Sequence, residues 1–343
     1  MIRFSSLGDV VKCTALPRLI RAAYPGARLT MVTASDFLEL IADNPHLDHA
    51  IGLDRRAGRR GFSALRRRLA SQRWDLIVDV HKSLRSRLLG LALRGPRSAY
   101  SKRTLQRLLL LNFRLNSYRP AKGKEEDFLA GLAPYGVRDD GRGTELNLRR
   151  VAGAPALREE LGAELKTLAR WRKRGRPVVG LAPVAAWELK KWPLAHFRRL
   201  AEALAEKTDA GLVLFGGPGD KGVETLLKGL PGEAISLVGR TSLLQSAYFA
   251  SLADLVVAND TGMIHLAEAV GTRVVALYGP TSRELGYYPV NPLSRAVELP
   301  LFCRPCSKNG QGNCGNPYRK ACLEGITPET VLRHVVEMLA DRS

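Results

Sequence analysis

Aromatic residues make up only 6% of this 343-residue chain. So few rings argue against a protein built on stacking platforms for single-stranded nucleic acid, where bases rest on Phe, Tyr and Trp faces. Long apolar runs are also missing. The stretch Leu108–Leu111 falls far short of the roughly 18 residues a membrane span requires. The opening Met1-Ile2-Arg3-Phe4-Ser5-Ser6-Leu7-Gly8-Asp9 has no apolar signal core, so the expected compartment is the cytoplasm. There is no GxxxxGK[ST], which argues against a P-loop kinase or ATPase. No GxGxxG lies between an expected strand and helix with an acidic residue ~20 positions on, which disfavours a dinucleotide oxidoreductase. G-x-S-x-G and H-E-x-x-H are absent too.

Positive charge is what the chain has in excess. Lys and Arg number 53 against 33 Asp and Glu, a net of +20, on an otherwise ordinary globular composition of 45% apolar and 25% charged residues. Residues 1–150 hold 29 basic and 14 acidic side chains, or +15, which leaves +5 for the rest. Within 55–124, 20 basic residues face only Asp75 and Asp79. Such a skew points to a polyanionic partner: nucleic acid, an anionic membrane surface or an anionic substrate. A coding bias toward arginine would give the same numbers with no partner. Four of the five cysteines cluster as Cys303-x2-Cys306-x7-Cys314-x7-Cys322, with Cys13 alone. In a cytosolic chain the default is reduced thiols. The first pair has zinc-knuckle spacing, but the second lacks CxxC.

Short β-rich runs alternate with amphipathic stretches, the pattern of parallel sheets covered by helices. In the first half the expected strands are 2–5, 28–33, 49–52, 76–80 and 98–100, with a helix over 10–23 ending at Pro25-Gly26. The second half repeats the plan: strands at 178–182, 211–215, 235–238, 255–258 and 274–278, and helices over 194–207, 221–228, 243–252 and 262–270. A helix with a basic end (151–176) joins the halves. The expected fold is α/β, with two Rossmann-like domains facing across a cleft: residues 1–165, residues 176–325, and a closing helix in 326–343.

Three constellations carry chemistry. Asp9 lies where a strand turns through Ser6 and Gly8 into a helix. A carboxylate there serves as a helix cap, or as a general base kept ionised by the helix N-terminus. Lys190 and Lys191 precede Trp192-Pro193 at the edge where ligands bind in open α/β sheets; they read as solvated lysines or as partners of a phosphate. In Asn259-Asp260-Thr261-Gly262-Met263-Ile264-His265, a buried strand runs directly into a helix. The amides of Thr261, Gly262 and Met263 are expected to point outward as a pyrophosphate site, with His265 one turn in, as a ligand contact or a structural histidine. Gly217, in Gly216-Gly217-Pro218-Gly219-Asp220, adds a glycine-rich turn on the same rim. Together these parts suit a nucleotide-linked donor.

In this order, Ser5-Ser6-Leu7-Gly8-Asp9-Val10-Val11, Asp79-x5-Arg85-Ser86, Lys190-Lys191-Trp192-Pro193, Asn259 to Leu266, Leu277-Tyr278-Gly279-Pro280-Thr281 and Gly325-Ile326-Thr327-Pro328 resemble the bacterial lipopolysaccharide heptosyltransferases of glycosyltransferase family 9. The resemblance implies a glycosyltransferase B fold, with an N-terminal acceptor domain and a C-terminal ADP-sugar domain. It implies that Asp9 is the base and Lys190 the holder of the donor phosphates. Ala186, Lys191, Gly217, Asp260, Thr261, Gly262, Met263 and His265 are expected at the donor, although Ala185 and Ala186 stand where relatives often carry hydroxyls. Ser6, Gly8, Arg55, Arg56, Arg59, Arg60 and Arg85 are expected at the acceptor. Lys12 and Cys13 replace residues that are usually apolar or small, which could alter the acceptor-side wall.

The implied reaction is an inverting transfer of heptose from ADP-heptose to the lipopolysaccharide inner core, without cofactor or metal. The acceptor's Kdo carboxylates and lipid A phosphates would account for the basic first half, and peripheral contact with the cytoplasmic face of the inner membrane follows. A nucleotide-sugar epimerase of the same architecture needs no polyanionic acceptor. A basic nucleic-acid-binding protein would leave Asp9 and the Asp-Thr-Gly helix start without a purpose, so no nucleic acid is expected as partner.

Overall fold

Both halves of the chain form parallel strands, and every strand pairing is parallel. The computed structural model describes residues 1–341, apart from the side chain of Lys221. They fall into two units. Unit 1 comprises Met1–Arg103 and Lys122–Asn147; unit 2 comprises Thr104–Ala121 and the chain from Leu148 onward. The sequence reading had put 104–121 and 148–165 with the first domain. Three hydrogen bonds explain the grouping of 104–121 with unit 2: Arg114 donates to the carbonyls of Cys303 (3.1 Å) and Pro305 (2.9 Å), and Asn116 donates to Glu284 (2.9 Å).

In unit 1, β1 (Thr30–Ala34) pairs with β2 (His49–Leu53), and β3 (Ile77–Asp79) with β4 (Arg97–Ala99). The expected strand 2–5 is reduced to a seam between the pairs. Ile2 bridges both Val32 and Asp79, and the N–H groups of Ile2 and Arg3 reach the carbonyls of Val78 and Val32, each at 2.9 Å. It is short because the backbone leaves the sheet after Phe4, and Ser6 already caps the helix Leu7–Lys12. The helix expected over 10–23 is two helices, Leu7–Lys12 and Ala15–Ala23. Pro17 has no N–H to give the Cys13 carbonyl, so the chain breaks there and Pro17 takes a first-turn position, where no donor is required. Ile2, Phe4, Val32, Ile51, Leu65, Leu69, Ile77 and Leu89 form one core of this unit.

Unit 2 holds a six-stranded sheet in the order β10-β9-β8-β5-β6-β7. Its strands are β5 (Val178–Ala182), β6 (Gly211–Leu214), β7 (Ala234–Ser236), β8 (Leu255–Asn259), β9 (Arg273–Tyr278) and β10 (Arg295–Glu298). The reading missed β10, an edge strand in which only Val297 is buried. The helix expected at 221–228 is a 3-10 turn over Lys221–Leu227. From β5 the chain winds outward one way to β7, then returns to β8 and winds the other way. The strand order therefore reverses between β5 and β8, and the carboxyl ends of these two strands frame the crevice where doubly wound sheets bind ligands. Among the described residues, no helix is long and apolar enough to cross a membrane.

Candidate functional site

In unit 1 the segment that leaves the sheet after Phe4 delivers Asp9 to the third position of its helix. There its Oδ2 accepts from the Ser6 N–H (3.3 Å) and Ser6 Oγ (3.0 Å), the return half of a capping box. Asp9 is thus the helix cap of the simpler reading, and more besides. It is 7% exposed, and its Oδ2 is also ion-paired with Arg3. The Arg3 guanidinium donates to the Val80 carbonyl and lies 5.3 Å from the centre of the Phe128 ring. The sequence reading passed over Arg3, although a charged residue in an apolar strand was the available signal. It also passed over His81, edge-on to Phe4 at 5.5 Å between ring centres. Burial, and then the Arg3 charge, push the His81 imidazole down to about 4.

The basic residues fall into three settings. Arg55 and Arg56 follow β2 on a loop; Arg55 pairs with Asp36 and covers the Phe37 ring. Arg59 and Arg60 belong to the first turn of the helix Gly58–Ala70 rather than to a loop, and all four are exposed. Arg85 is exposed on the helix Leu84–Ala92. Its neighbours in the motif have structural work: Asp79 accepts from the N–H groups of His81 and Lys82 and from Ser86 Oγ (3.0 Å), which fixes the turn ahead of that helix. Lys12 and Cys13 are both buried. Lys12 is 1% exposed and paired with Glu125 at 2.5 Å, and burial raises the Cys13 thiol.

In unit 2 Lys190, Asp260 and Thr261 come together beyond the carboxyl ends of β5 and β8. Asn259, at the end of β8, fastens the loop after β5: its amide donates to the Pro183 carbonyl (2.7 Å) and its oxygen accepts from the Trp192 N–H (3.0 Å). Trp192 is buried, with its indole on the Ile326 carbonyl (2.8 Å). This clamp brings Lys190 over the next residue, Asp260, with Nζ 2.7 Å from Oδ2; Thr281 Oγ1 donates to the same oxygen at 2.7 Å. Lys190 is therefore not the solvated lysine of the simpler reading, because it already holds a carboxylate. An ammonium has three N–H donors, so other acceptors can still be bound.

Thr261 caps the helix Gly262–Glu268, and its Oγ1 accepts from Met263 N–H at 3.2 Å. The Met263 amide is therefore engaged, not outward-pointing as expected. Met263 and His265 are buried, while Thr261 and Gly262 are partly open. Ala186 is exposed. Lys191 pairs with Glu188 at 3.1 Å, which suits the solvated reading. The Gly217 N–H is held by Asp220 at 2.8 Å, closing its turn on itself. Arg304 was not foreseen. It donates to the carbonyls of Gly279, Leu299 and Thr281, which ties the cysteine-containing segment to the turn after β9.

All five cysteines are free thiols. Among the described residues, no group of three or more His, Cys, Asp or Glu is placed to hold a metal ion. A cavity of about 470 Å³ in unit 1, lined by Tyr24, Thr30, Trp74, Leu76 and Tyr135 among others, opens at the amino ends of β1 and β3 and contains none of the expected residues.

A family model described as glycosyltransferase family 9 (heptosyltransferase) matches residues 62–314. Lipooligosaccharide heptosyltransferase 2 of Haemophilus influenzae is 34% identical over 198 residues, 54% of this chain and 56% of that protein. Its namesake in Haemophilus ducreyi is 27% identical over 355 residues, 98% of this chain and 97% of the relative. The solved structure of E. coli heptosyltransferase WaaC with ADP-2-deoxy-2-fluoro heptose shares the fold at a TM-score of 0.67 and 18% identity, with 98% of each chain covered. With the model matching well over half of its length, the chain belongs to glycosyltransferase family 9.

Proposed function

We propose that this glycosyltransferase moves a heptose from ADP-heptose to an anionic sugar of the lipopolysaccharide inner core. The observation that carries the reading is the Lys190–Asp260–Thr261 cluster at the β5/β8 switch point, a fixed ammonium beside a capped helix start in a family 9 chain. The donor assignment also draws on the ADP-heptose analogue named for the WaaC structure. The basic first half suits an acceptor bearing carboxylates and phosphates. The epimerase and nucleic-acid alternatives are not favoured, since neither accounts for that charge, Asp9 and the family match together.

In the proposed single displacement, an acceptor hydroxyl oxygen forms a bond to the heptose anomeric carbon while the bond from that carbon to the ADP oxygen breaks, with inversion. Asp9 accepts the hydroxyl proton. ADP departs with the electron pair, its phosphate charge met by Lys190 Nζ, the Thr261 hydroxyl and the amides at the start of the Gly262–Glu268 helix. A sugar-cation-like transition state gains more from such preset charge than the ground state does. Unit 1 is assigned the acceptor, through Ser6, Gly8, Arg55, Arg56, Arg59, Arg60 and Arg85. Unit 2 is assigned the donor, through Ala186, Lys190, Lys191, Gly217, Asp260 and the Thr261–His265 turn. The enzyme works in the cytoplasm, in peripheral contact with the inner membrane where its acceptor lies.

Asp9→Asn tests the base. The amide still accepts from Ser6 but cannot take a proton, so turnover with ADP-heptose and a truncated lipopolysaccharide acceptor should fall ~10²-fold or more, with ADP binding retained. Near wild-type turnover in that variant removes Asp9 from the role.

A further inference from the structure

The helix Leu84–Ala92 of unit 1 is apolar on two faces. Ser86, Leu89 and Gly90 are buried, and Leu89 packs in the core with Leu65 and Leu69 of the neighbouring helix Gly58–Ala70. The other face is open to solvent: Leu84 is 75% exposed, Leu88 51% and Leu91 66%. At about 100° per residue these three fall within about 60° of arc, with Arg87 on one side and Arg85 on the other. A helix on the surface of a soluble domain needs only one apolar stripe, and packing of the core does not explain a second.

The charge around this stripe has one sign. Residues 80–100 contain no Asp or Glu, and Arg87 and Arg94 are exposed. The adjoining helix presents Arg59, Arg60, Arg66 and Arg67 to solvent. Protein interfaces are typically anchored by aromatic side chains in a desolvated centre. This stripe has none. Leucines bordered by arginines are the composition of a helix lying in the headgroup boundary of an anionic bilayer.

We infer that the Leu84–Leu88–Leu91 stripe docks unit 1 on an anionic phospholipid bilayer, with the leucines at the acyl boundary and the flanking arginines on headgroup phosphates. The inference deepens the proposed function, on which it rests for the surface met in the cell, by naming the face that meets the membrane.

Flotation with phosphatidylcholine vesicles, with and without phosphatidylglycerol, tests it on the full chain. Wild type should float with the phosphatidylglycerol vesicles only, and added salt should weaken the binding. Leu84→Ser/Leu88→Ser/Leu91→Ser should bind about tenfold or more weakly, and Arg87→Gln/Arg94→Gln several-fold more weakly. These side chains are exposed, so both variants should melt like wild type. Both should also keep wild-type kcat on a water-soluble, delipidated acceptor, while KM for a bilayer-embedded acceptor rises. Equal flotation of wild type and the leucine variant would overturn the inference. So would wild-type self-association that the variant loses, with no vesicle binding by either, since the stripe would then join two copies of this chain. Vesicle binding that depends on the stripe, in a protein that transfers no heptose, would uphold the docking face and refute the proposed activity.

Discussion

Lys190→Met isolates the ion pair of the proposed donor site. The two side chains are 15% and 6% exposed, and Thr281 donates to the same Asp260 oxygen. Losing one partner of a fully buried pair costs roughly 3–5 kcal/mol, and losing an exposed pair about 0–1. Here one end is partly open and the Thr281 bond survives, so a loss of about 2–3 kcal/mol is expected. For a unit of this size that is about 5–10 °C in Tm. Asp260→Asn should cost less, because the ammonium it leaves behind reaches solvent. The double variant removes both charges and should recover most of the loss, a coupling of about 2–3 kcal/mol. Two units need not unfold in one step, so calorimetry should follow the transition that ADP raises. ADP should raise it far less in both Lys190 variants, because recovery of stability does not restore the phosphate partner. A Lys190→Met protein melting within about 1 °C of wild type, or a strictly additive double variant, would refute the buried-pair reasoning. Unchanged donor saturation would remove Lys190 from the donor site.

Two further substitutions probe the surroundings of the proposed residues. His81 is held at about 4 against 6.5 for the free side chain, so between those values the unfolded chain binds more protons than the folded one. The stability conferred by the neutral ring is complete above pH 6.5 and is lost as pH falls toward 4. His81→Phe keeps a ring against Phe4 and should flatten Tm across that window; parallel acid loss in both proteins would place the sensitivity elsewhere. Gly310 has φ +84°, and a Cβ there would lie 2.7 Å from Lys190 Cγ and 3.1 Å from Trp187 Cβ. Gly310→Ala should therefore lower stability by about 1–2 kcal/mol and raise the donor KM by displacing Lys190. A change in Tm with no change in KM would show that the lysine adjusts freely.

Much of this architecture was legible because parallel strands buried on both sides leave runs such as Val178–Ala182 and Leu255–Asn259, bounded by turn residues. Where burial was thin, the pattern failed. β10 buries a single valine and reads as loop, and the seam at Ile2 is too short to alternate. Pro17 did announce the break in the first helical stretch, but a continuous stripe through Leu16, Leu19 and Ile20 concealed it. Order along the chain was enough to gather Lys190, Asp260 and Thr261 at one sheet edge, since each follows a strand at its carboxyl end.

Pairing is what that logic could not supply. The sequence offers Lys190 as a cation and Asp260 as an anion; only the Asn259 clamp on Pro183 and Trp192 makes them partners. The same holds for Arg3 and Asp9, six residues apart but joined because the chain doubles back between strand and helix. In both places a residue assigned to chemistry already carries an opposite charge at low exposure. The sequence reading weighed cap against base at Asp9, and solvated lysine against phosphate ligand at Lys190, as alternatives. At Asp9 the cap leaves the proposed base role open, and at Lys190 an ion pair replaces the solvated reading. A carboxylate fixed by Ser6 and Arg3 is held in one position, and an ammonium anchored on Asp260 is held at the sheet edge; in the proposed reaction such fixed charge needs little reorganisation. The structural partner and the proposed catalytic role are therefore two consequences of the same burial, and substitutions at Arg3 or Asp260 belong with those at Asp9 and Lys190 in any test of the mechanism.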